Sequence, residues 1–344
     1  MNKKIIYGVI SLLAIVGLFF AVKSIRYEHY PAPVEPSEEW EPFVNSLDAQ
    51  REAFFVDANG VKLEAELFIP NGGQEQKPAV VFSPGSGDSL YQNYASWGLV
   101  ETYVLEVFLS HDFAVLLVNK RGMGQSEGNY VKNSIEGRAE DIYAAVKSIK
   151  NHPQIDAENI GLIGHSQGGW VVVQVAADHS DIAFFISLAG PTTTMRENAA
   201  DNSYHQGRCQ GLQGEELDAY ISKRAKMVDL SISIGELTNF GFFGFDARNM
   251  GYDPREALQT VRNPGLFVYA ENDDQVTPSL SIDRMNEIFN NDVPENFEML
   301  VMDDATHAFR LVNDPCESWV NVEEQEQSEQ LIEVLDTWLA EQGY

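Results

Sequence analysis

The stretch Ile160-Gly161-Leu162-Ile163-Gly164-His165-Ser166-Gln167-Gly168-Gly169-Trp170 places a serine between glycines directly after a short apolar run. The run is typical of a buried strand, and residues 168–177 have the composition of a helix. A sharp turn from strand to helix closes only where the residues two before and two after the serine lack bulky side chains. Gly164 and Gly168 occupy those two positions, so the sequence predicts an accessible hydroxyl at Ser166.

Short apolar segments recur on both sides of this stretch, with segments of helical spacing between them. The predicted strands are residues 79–82, 114–118, 160–163, 184–188, 266–269 and 297–301. Because their apolar residues do not alternate with polar ones, these strands should be covered on both faces, as in a parallel sheet. Helical spacing in residues 135–149 and 281–290 then predicts a doubly wound α/β sheet. Ahead of it, Asn59-Gly60 predicts a hairpin, and alternation over residues 63–69 predicts a strand near the sheet edge.

One connection is much longer than the others. Residues 192–263 lie between two predicted strands that a single helix would normally join. Because so long a segment rarely stays unstructured in a compact domain, we expect it to form a cap. Within it, residues 215–228 have a helical pattern, and the aromatic run 240–245 either lines an acyl pocket or forms the core of the cap. The sequence therefore predicts one α/β domain, residues 51–344, with a helical cap insertion at residues 192–263.

The N-terminus differs in character from the rest of the chain. An uncharged run, residues 5–22, follows Lys3 and Lys4. As a helix rising about 1.5 Å per residue it would span roughly 27 Å, close to the hydrocarbon thickness of a bilayer. The run is long for a signal peptide and has no good Ala-x-Ala site, so residues 1–29 are predicted to be an uncleaved transmembrane signal anchor. The alternative is a cleaved signal peptide and a secreted protein. Either way, we expect the folded domain outside the cytoplasm, beyond a Pro- and Glu-rich linker at residues 30–50.

Composition narrows the possible partners. The chain has 344 residues, 23 of them basic and 52 acidic, for a formal net charge of −29. A field of this sign repels phosphate backbones, so we predict no binding of nucleic acid.

An oxidising compartment would permit a disulfide between Cys209 and Cys316, but the sequence does not supply the Cα separation that decides pairing. We find no cluster of residues with zinc-like spacing and predict no metal or other cofactor.

Several motifs stand where predicted strands end. They are Pro-Gly-Ser-Gly at 84–87, Asn-Lys-Arg-Gly-Met-Gly-Gln-Ser at 119–126, the glycine–serine turn at 164–168, and two late segments at 270–278 and 303–309. In these motifs the chain resembles the α/β-hydrolase superfamily, particularly the bacterial serine esterase and serine aminopeptidase-like hydrolases. The resemblance extends from about Phe54 to the C-terminus. It implies an α/β-hydrolase fold with its nucleophile on the strand-to-helix turn.

The resemblance also implies a catalytic triad in the chain order Ser, Asp, His. Ser166 would be the nucleophile, and His307 fits the family's Ala-x-His-x-Phe ending after the last strand. The family's pattern for the acid selects Asp273, with Asp274 and Glu271 as alternatives. In such a triad His307 takes the proton from Ser166, while the aspartate orients the imidazole.

Two backbone N–H groups are expected to form an oxyanion hole. One is that of Gln167, at the start of the helix after the nucleophile. The other comes, by resemblance, from the loop after the third strand, where we assign Ser86 with Gly87 as the alternative. We expect His165 to take no part as the base, because it adjoins the nucleophile and cannot turn back to its hydroxyl.

These parts together predict a serine hydrolase that cleaves a small-molecule carboxylic ester through an acyl-enzyme on Ser166. The same triad would serve an amidase, an aminopeptidase or an acyltransferase, and a non-catalytic binding protein could keep the fold. The sequence leaves these alternatives open, since substrate choice depends on how residues 192–263 close over the serine.

Overall fold

A mostly parallel sheet of eight strands forms the centre of the part of the chain that the computed structural model describes, residues 35–72, 75–87, 90–318 and 320–344. The strands are β1 (Ala49–Ala58), β2 (Val61–Pro70), β3 (Lys77–Ser83), β4 (Ala114–Val118), β5 (Ile155–His165), β6 (Phe185–Leu188), β7 (Gly265–Ala270) and β8 (Phe297–Met302). Their order across the sheet is β1-β2-β4-β3-β5-β6-β7-β8. The pairs β1–β2 and β2–β4 are antiparallel, and all later neighbours are parallel. The predicted mostly parallel α/β sheet is confirmed.

Helices pack on both faces of the sheet. They are α1 (Trp40–Val44), α2 (Val107–Ser110), α3 (Ile135–Ile149), α4 (Gln167–Asp178), α5 (Met195–Cys209), α6 (Gly214–Thr238), α7 (Gly241–Asn249), α8 (Arg255–Thr260), α9 (Pro278–Ile288) and α10 (Glu329–Glu341). One buried cluster joins α3, α4, α8 and α9 to the sheet, and a second joins α1, α2 and α10 to its other face. Because the strands are covered on both sides, their apolar residues run without alternation.

The hairpin predicted at Asn59-Gly60 joins β1 and β2. Both turn residues have positive φ, 55° and 85°, which is the conformation that a two-residue type I′ turn requires. The strand predicted over residues 63–69 differs from the expectation in its burial. In β2 every residue from Ala65 onward is buried. The strand pairs along its whole length with β1. β1 therefore forms the sheet edge, and Glu66, although buried, is held there by Arg51 on β1 at 2.5 Å.

The connection from β3 to β4 contains helical turns that the sequence analysis did not predict. A 3₁₀ helix over Tyr91–Trp97 is followed by a π-helix over Leu99–Glu106, which continues into α2. Gly98 joins the two with φ 67°, a left-handed conformation that favours glycine. These irregular turns have neither the spacing nor the length of an ordinary amphipathic helix, which explains why periodicity did not reveal them.

Part of the predicted linker packs against the domain. Within residues 30–50, the short helix α1 places Trp40 at 1% exposure. Its ring lies edge-on to those of Phe68 and Tyr91, with centroids 6.2 and 5.7 Å apart. This portion of the predicted linker is therefore fixed to the domain, because burial of a large aromatic side chain stabilises the contact.

The predicted signal anchor, residues 1–29, lies outside the described residues. Among the residues that are described, no helix is both long and apolar enough to cross a bilayer.

Residues 192–263 are mainly helical and comprise α5, α6, α7 and α8. α6 is longer than the predicted 215–228 and extends to Thr238. α5 begins with a capping box in which the Thr194 side chain and Glu197 satisfy each other's backbone N–H groups. Such a box stabilises the first turn of a helix that buries few of its side chains.

A disulfide joins Cys209, the last residue of α5, to Cys316 in the loop that follows β8. The two Cα atoms are 5.3 Å apart, within the range that allows pairing without backbone movement. The pairing that the sequence left open is therefore present, and it links residues 192–263 covalently to the C-terminal part of the domain.

Candidate active site

The turn at Ser166 joins β5 to α4 through a conformation that few residues adopt. Ser166 has φ 54° and ψ −121°, a combination that is costly for a residue with a side chain. The surrounding backbone is closely packed. A Cβ atom at Gly164 would lie 2.2 Å from the carbonyl oxygen of Gly168, and one at Gly168 would lie 2.1 Å from that of Ser83. Both glycines are therefore required by close backbone contact.

His307 lies in the loop after β8, where a buried carboxylate orients its ring. Nδ1 of His307 and Oδ2 of Asp273 are 2.7 Å apart, and the two side chains are 7% and 0% exposed. The second oxygen of Asp273 accepts from the backbone N–H groups of Gln275 and Val276 at 2.7 and 2.9 Å. With its carboxylate held on both sides, Asp273 fixes the imidazole as the tautomer that carries its proton on Nδ1, which leaves Nε2 to accept a proton.

The two alternative acids make other contacts. An oxygen of Asp274 accepts from the side-chain amide of Gln275 at 3.1 Å, and Glu271 accepts from the backbone N–H of Asp304 at 3.1 Å. Of the three acidic residues considered, the structure places Asp273 against the imidazole.

His165 has a structural role that the sequence analysis did not foresee. Its Nε2 donates to the backbone carbonyl oxygen of His307 at 2.8 Å, and the two rings lie 4.8 Å apart. Burial, reinforced by the nearby His307, lowers the pKa of His165 to about 3. His165 therefore stays neutral at physiological pH and anchors the backbone of His307 without competing for protons. In the sequence, the position of His165 next to Ser166 excluded it as the base but did not indicate this structural role.

Both predicted oxyanion-hole residues lie beside Ser166. Gln167 is the first residue of α4, so its N–H has no partner within that helix. Ser86 lies in the loop after β3, and a Cβ atom on its neighbour Gly85 would come within 3.2 Å of Cβ of Ser166. Ser86, Gly87 and Gln167 all line the same pocket as the serine.

Three side chains that the sequence analysis did not single out hold this loop. The hydroxyl of Tyr94, on the 3₁₀ helix, accepts from the N–H of Gly85 at 2.6 Å. Lys120 Nζ donates to the carbonyl oxygens of Gly85 and Gly87 at 2.9 and 2.6 Å. Arg138, on α3, donates to the carbonyl oxygen of Pro84 at 2.5 Å. Of these three residues, Lys120 belongs to the motif at residues 119–126 that follows β4, and membership of that motif was the sequence feature that could have indicated its role.

The serine and the histidine open into one pocket of about 440 Å³. Its walls come from the loop after β3, the Ser166 turn, the loop after β7 and residues 192–263. Among the described residues, those lining it are Gly85, Ser86, Gly87, Tyr94, Tyr130, His165, Ser166, Gln167, Trp170, Pro191, Met195, Asn198, Phe242, Phe245, Gln275, Val276 and His307. These described lining residues include no Asp, Glu, Lys or Arg side chain.

Residues 192–263 supply an aromatic wall to this pocket. Phe242 and Phe245, both on α7, stack with ring centroids 5.9 Å apart, and Tyr130 lies edge-on to Phe245 at 6.3 Å. Of the two interpretations of the aromatic run 240–245, the pocket lining therefore applies to these two phenylalanines.

Within the described parts of the chain there is no group of three or more His, Cys, Asp or Glu residues able to hold a metal ion.

The family of the chain follows from its sequence as a whole. A family model described as Peptidase_S9, the prolyl oligopeptidase family, matches residues 100–323, well over half of the chain. The chain belongs to the prolyl oligopeptidase family. The resemblance to the α/β-hydrolase superfamily is confirmed.

Curated relatives of this prolyl oligopeptidase family member match over part of their length. The thiohydrolase aneE of Aspergillus aculeatus is 30% identical over 145 residues, which is 42% of this chain and 42% of that protein. The polyketide transferase grgF of a Penicillium species is 30% identical over 140 residues, 39% of this chain and 43% of that protein. The aligned part spans less than half of each relative.

Solved structures share the fold at low sequence identity. Est1E from Butyrivibrio proteoclasticus with bound ferulic acid has a TM-score of 0.56 and 18% identity, with 84% of this chain and 99% of that chain covered. The Pyrococcus furiosus esterase Pf2001 has a TM-score of 0.58 and 17% identity, with 90% and 97% covered. These similarities establish the architecture and leave the substrate to be argued from the pocket.

The packing around the turn predicts a sharp difference between two glycine substitutions. In Gly168→Ala the new methyl group would meet the backbone of Ser83, so we expect a loss of about 1–3 kcal/mol or more in the free energy of unfolding. Gly251→Ala is the matched control, because a Cβ there meets no atom within 4 Å. Urea unfolding of both variants measures the difference, and equal stabilities would contradict the close contact at the turn.

Proposed function

We propose that this protein is a serine esterase that cleaves a neutral carboxylic ester through an acyl-enzyme on Ser166. The observation that carries the proposal is the buried 2.7 Å contact between His307 Nδ1 and Asp273, in a pocket that Ser166 and His307 line together. An imidazole held in this tautomer, in the same pocket as a partly buried serine, is suited to general-base activation of the serine hydroxyl.

In the proposed reaction, Ser166 Oγ attacks the ester carbonyl carbon while its proton passes to Nε2 of His307. Asp273 stabilises the imidazolium that results. The N–H groups of Gln167 and Ser86 donate to the oxyanion of the tetrahedral intermediate. His307 then protonates the departing alcohol. In deacylation it takes a proton from the attacking water and passes it to Ser166 Oγ as the acid leaves.

The pocket favours an ester over a peptide with a free amino terminus. An enzyme that reads an N-terminal ammonium group needs a buried carboxylate to compensate for its lost hydration. Within the described residues, no Asp or Glu side chain lines the pocket. The aromatic pair Phe242 and Phe245 instead offers an apolar surface to an acyl or alcohol group.

A second candidate is acyl transfer to an acceptor other than water. It is favoured by the relative named a polyketide transferase, to which the chain is 30% identical over 140 residues. The same acyl-enzyme would then be released by an acceptor hydroxyl, and added alcohol should raise the yield of the transfer product at the expense of free acid.

The proposal is tested on the purified protein with a fluorophosphonate probe and a panel of p-nitrophenyl esters. We expect the wild type to be labelled and to turn over esters, and Ser166→Ala to lose labelling and about 10⁴-fold or more of its kcat/KM. Aminoacyl anilides serve as the comparison substrates, and we expect the ester to be strongly preferred. Equal labelling of wild type and Ser166→Ala would refute the nucleophile, whereas a preference for the anilide would favour the peptidase.

The identity of the acid gives a second test with a matched pair of variants. Asp273→Asn should lower kcat by about 10³–10⁴-fold, because an amide cannot hold the same tautomer of His307. Asp274→Asn alters the adjacent carboxylate, whose oxygen contacts Gln275, and should stay within about threefold of wild type because it leaves the Asp273 carboxylate in place to orient His307. The reverse ranking of the two variants would assign the acid to Asp274.

We also propose that the full chain is held at a membrane with the domain outside the cytoplasm. The apolar run 5–22 and the Cys209–Cys316 disulfide both support this location, since disulfides persist in oxidising compartments. We expect the chain to stay in the membrane fraction after carbonate washing, and a variant lacking residues 1–29 to be released. Recovery of the full chain in the soluble fraction, with residues 5–22 still present by mass spectrometry, would contradict the anchor.

A further inference from the structure

The oxyanion loop, residues 84–87, is oriented peptide by peptide. In a trans peptide the C=O and N–H groups point in opposite directions. A partner that holds the carbonyl oxygen therefore directs the N–H of the next residue the opposite way. In the peptide between Pro84 and Gly85 both groups are held, the carbonyl oxygen by Arg138 at 2.5 Å and the N–H by Tyr94 at 2.6 Å.

Lys120 holds the next peptide. Its Nζ donates to the carbonyl oxygen of Gly85 at 2.9 Å, and that carbonyl belongs to the same peptide as the N–H of Ser86. The ammonium group therefore directs the Ser86 N–H away from Lys120. A second bond, to the carbonyl oxygen of Gly87 at 2.6 Å, holds the loop on the far side of Ser86. Lys120 is only 7% exposed, so these bonds form away from bulk water.

Arg138 links the two halves of the oxyanion hole. Its Nη2 donates to Pro84 at the start of the loop, and its Nη1 donates to the side-chain oxygen of Gln167, the residue that supplies the other N–H. Both acceptors are neutral. Asp141, an acidic side chain close enough to act on the charge of Arg138, is bonded to Arg121 and Asn133. The planar guanidinium group directs its two terminal nitrogens at fixed angles, so one side chain reaches both acceptors.

We propose that Lys120 and Arg138 are positioning residues that set the oxyanion hole, Lys120 by orienting the peptide that carries the Ser86 N–H and Arg138 by tying this loop to Gln167. The proposal rests on the serine esterase function above. Neither residue needs to touch the substrate.

The positive charges of Lys120 and Arg138 should also make the N–H groups of the oxyanion hole stronger hydrogen-bond donors. A cation bonded to a peptide carbonyl polarises that peptide, so its N–H becomes a better donor. Burial lowers the pKa of Arg138 to about 10, which leaves it charged at neutral pH. Because both cations lie behind the loop when the substrate is bound and when the oxyanion forms, they favour the negative charge that develops only in the tetrahedral intermediate. Their loss should therefore lower kcat and leave KM nearly unchanged.

Two buried lysines allow a matched test of Lys120. Lys77 is likewise 7% exposed, but it begins β3 at the opposite end of the strand from the oxyanion loop and pairs with Asp112. We expect Lys120→Met to lower kcat for a p-nitrophenyl ester by about 10–100-fold, somewhat less than loss of an oxyanion donor itself. KM should change by less than about threefold, and Lys77→Met should keep kcat within the same narrow range.

A trifluoromethyl ketone separates positioning from a merely structural effect. With 1,1,1-trifluorooctan-2-one, Ser166 Oγ adds to the ketone carbon, its proton passes to His307 and the ketone oxygen becomes an oxyanion. If Lys120 and Arg138 set the hole, the inhibition constant should weaken in Lys120→Met and Arg138→Met by the same factor as kcat falls. An unchanged inhibition constant in folded variants would overturn the proposal.

The link through Gln167 is tested with a double-mutant cycle. Arg138→Met and Gln167→Ala should have non-additive effects on kcat, because either change breaks the same bridge while Gln167→Ala keeps the backbone N–H. Arg138→Lys should restore only part of the loss. Should Arg138→Met fail to fold, the decision rests on Gln167→Ala and Lys120→Met: wild-type kcat in both overturns the proposal.

The wild-type measurement keeps this inference separate from the proposed function. A wild type that hydrolyses esters alongside fully active Lys120→Met and Gln167→Ala variants would refute the positioning roles alone. A wild type that neither turns over esters nor reacts with the fluorophosphonate would refute the esterase.

Discussion

Three stretches of backbone meet around Ser166 with no side chain between them, and the rest of the site depends on that contact. The end of β3, the end of β5 and the start of α4 approach so closely that a methyl group at residue 164 or 168 would overlap a carbonyl group. The same contact brings the loop after β3 against Ser166, where α4 begins. The serine and the proposed oxyanion donors are thus positioned by one feature of main-chain packing.

The sequence predicted the features that local patterns encode. Apolar runs identified the strands from β3 onward because strands buried on both faces leave an uninterrupted signal. Asn59-Gly60 identified a turn because few other residues accept its dihedral angles. Ser166 was predicted from its flanking glycines, and Asp273 and His307 from the resemblance of their motifs. The structure places Ser166 and His307 in one pocket, with Asp273 buried against the imidazole.

Features that depend on contacts between distant segments could not be predicted in the same way. Arg138 lies 54 residues from Pro84 and 29 from Gln167, and its helix reads as an ordinary amphipathic one. Trp40 belongs to a stretch whose composition indicates a hydrated linker, yet a complementary aromatic site buries it. The pairing of Cys209 with Cys316 likewise depends on a Cα separation that arises only in the folded chain. In each case tertiary packing decides what a local pattern leaves open.

The disulfide also limits how the pocket can open. It ties the C-terminal end of α5 to the segment that follows His307, with the two Cα atoms 5.3 Å apart. The C-terminal end of α5 therefore cannot separate from the chain beyond His307 unless that segment moves with it. Because Met195 and Asn198 near the other end of α5 line the pocket, the crosslink couples the position of this wall to the segment after the histidine.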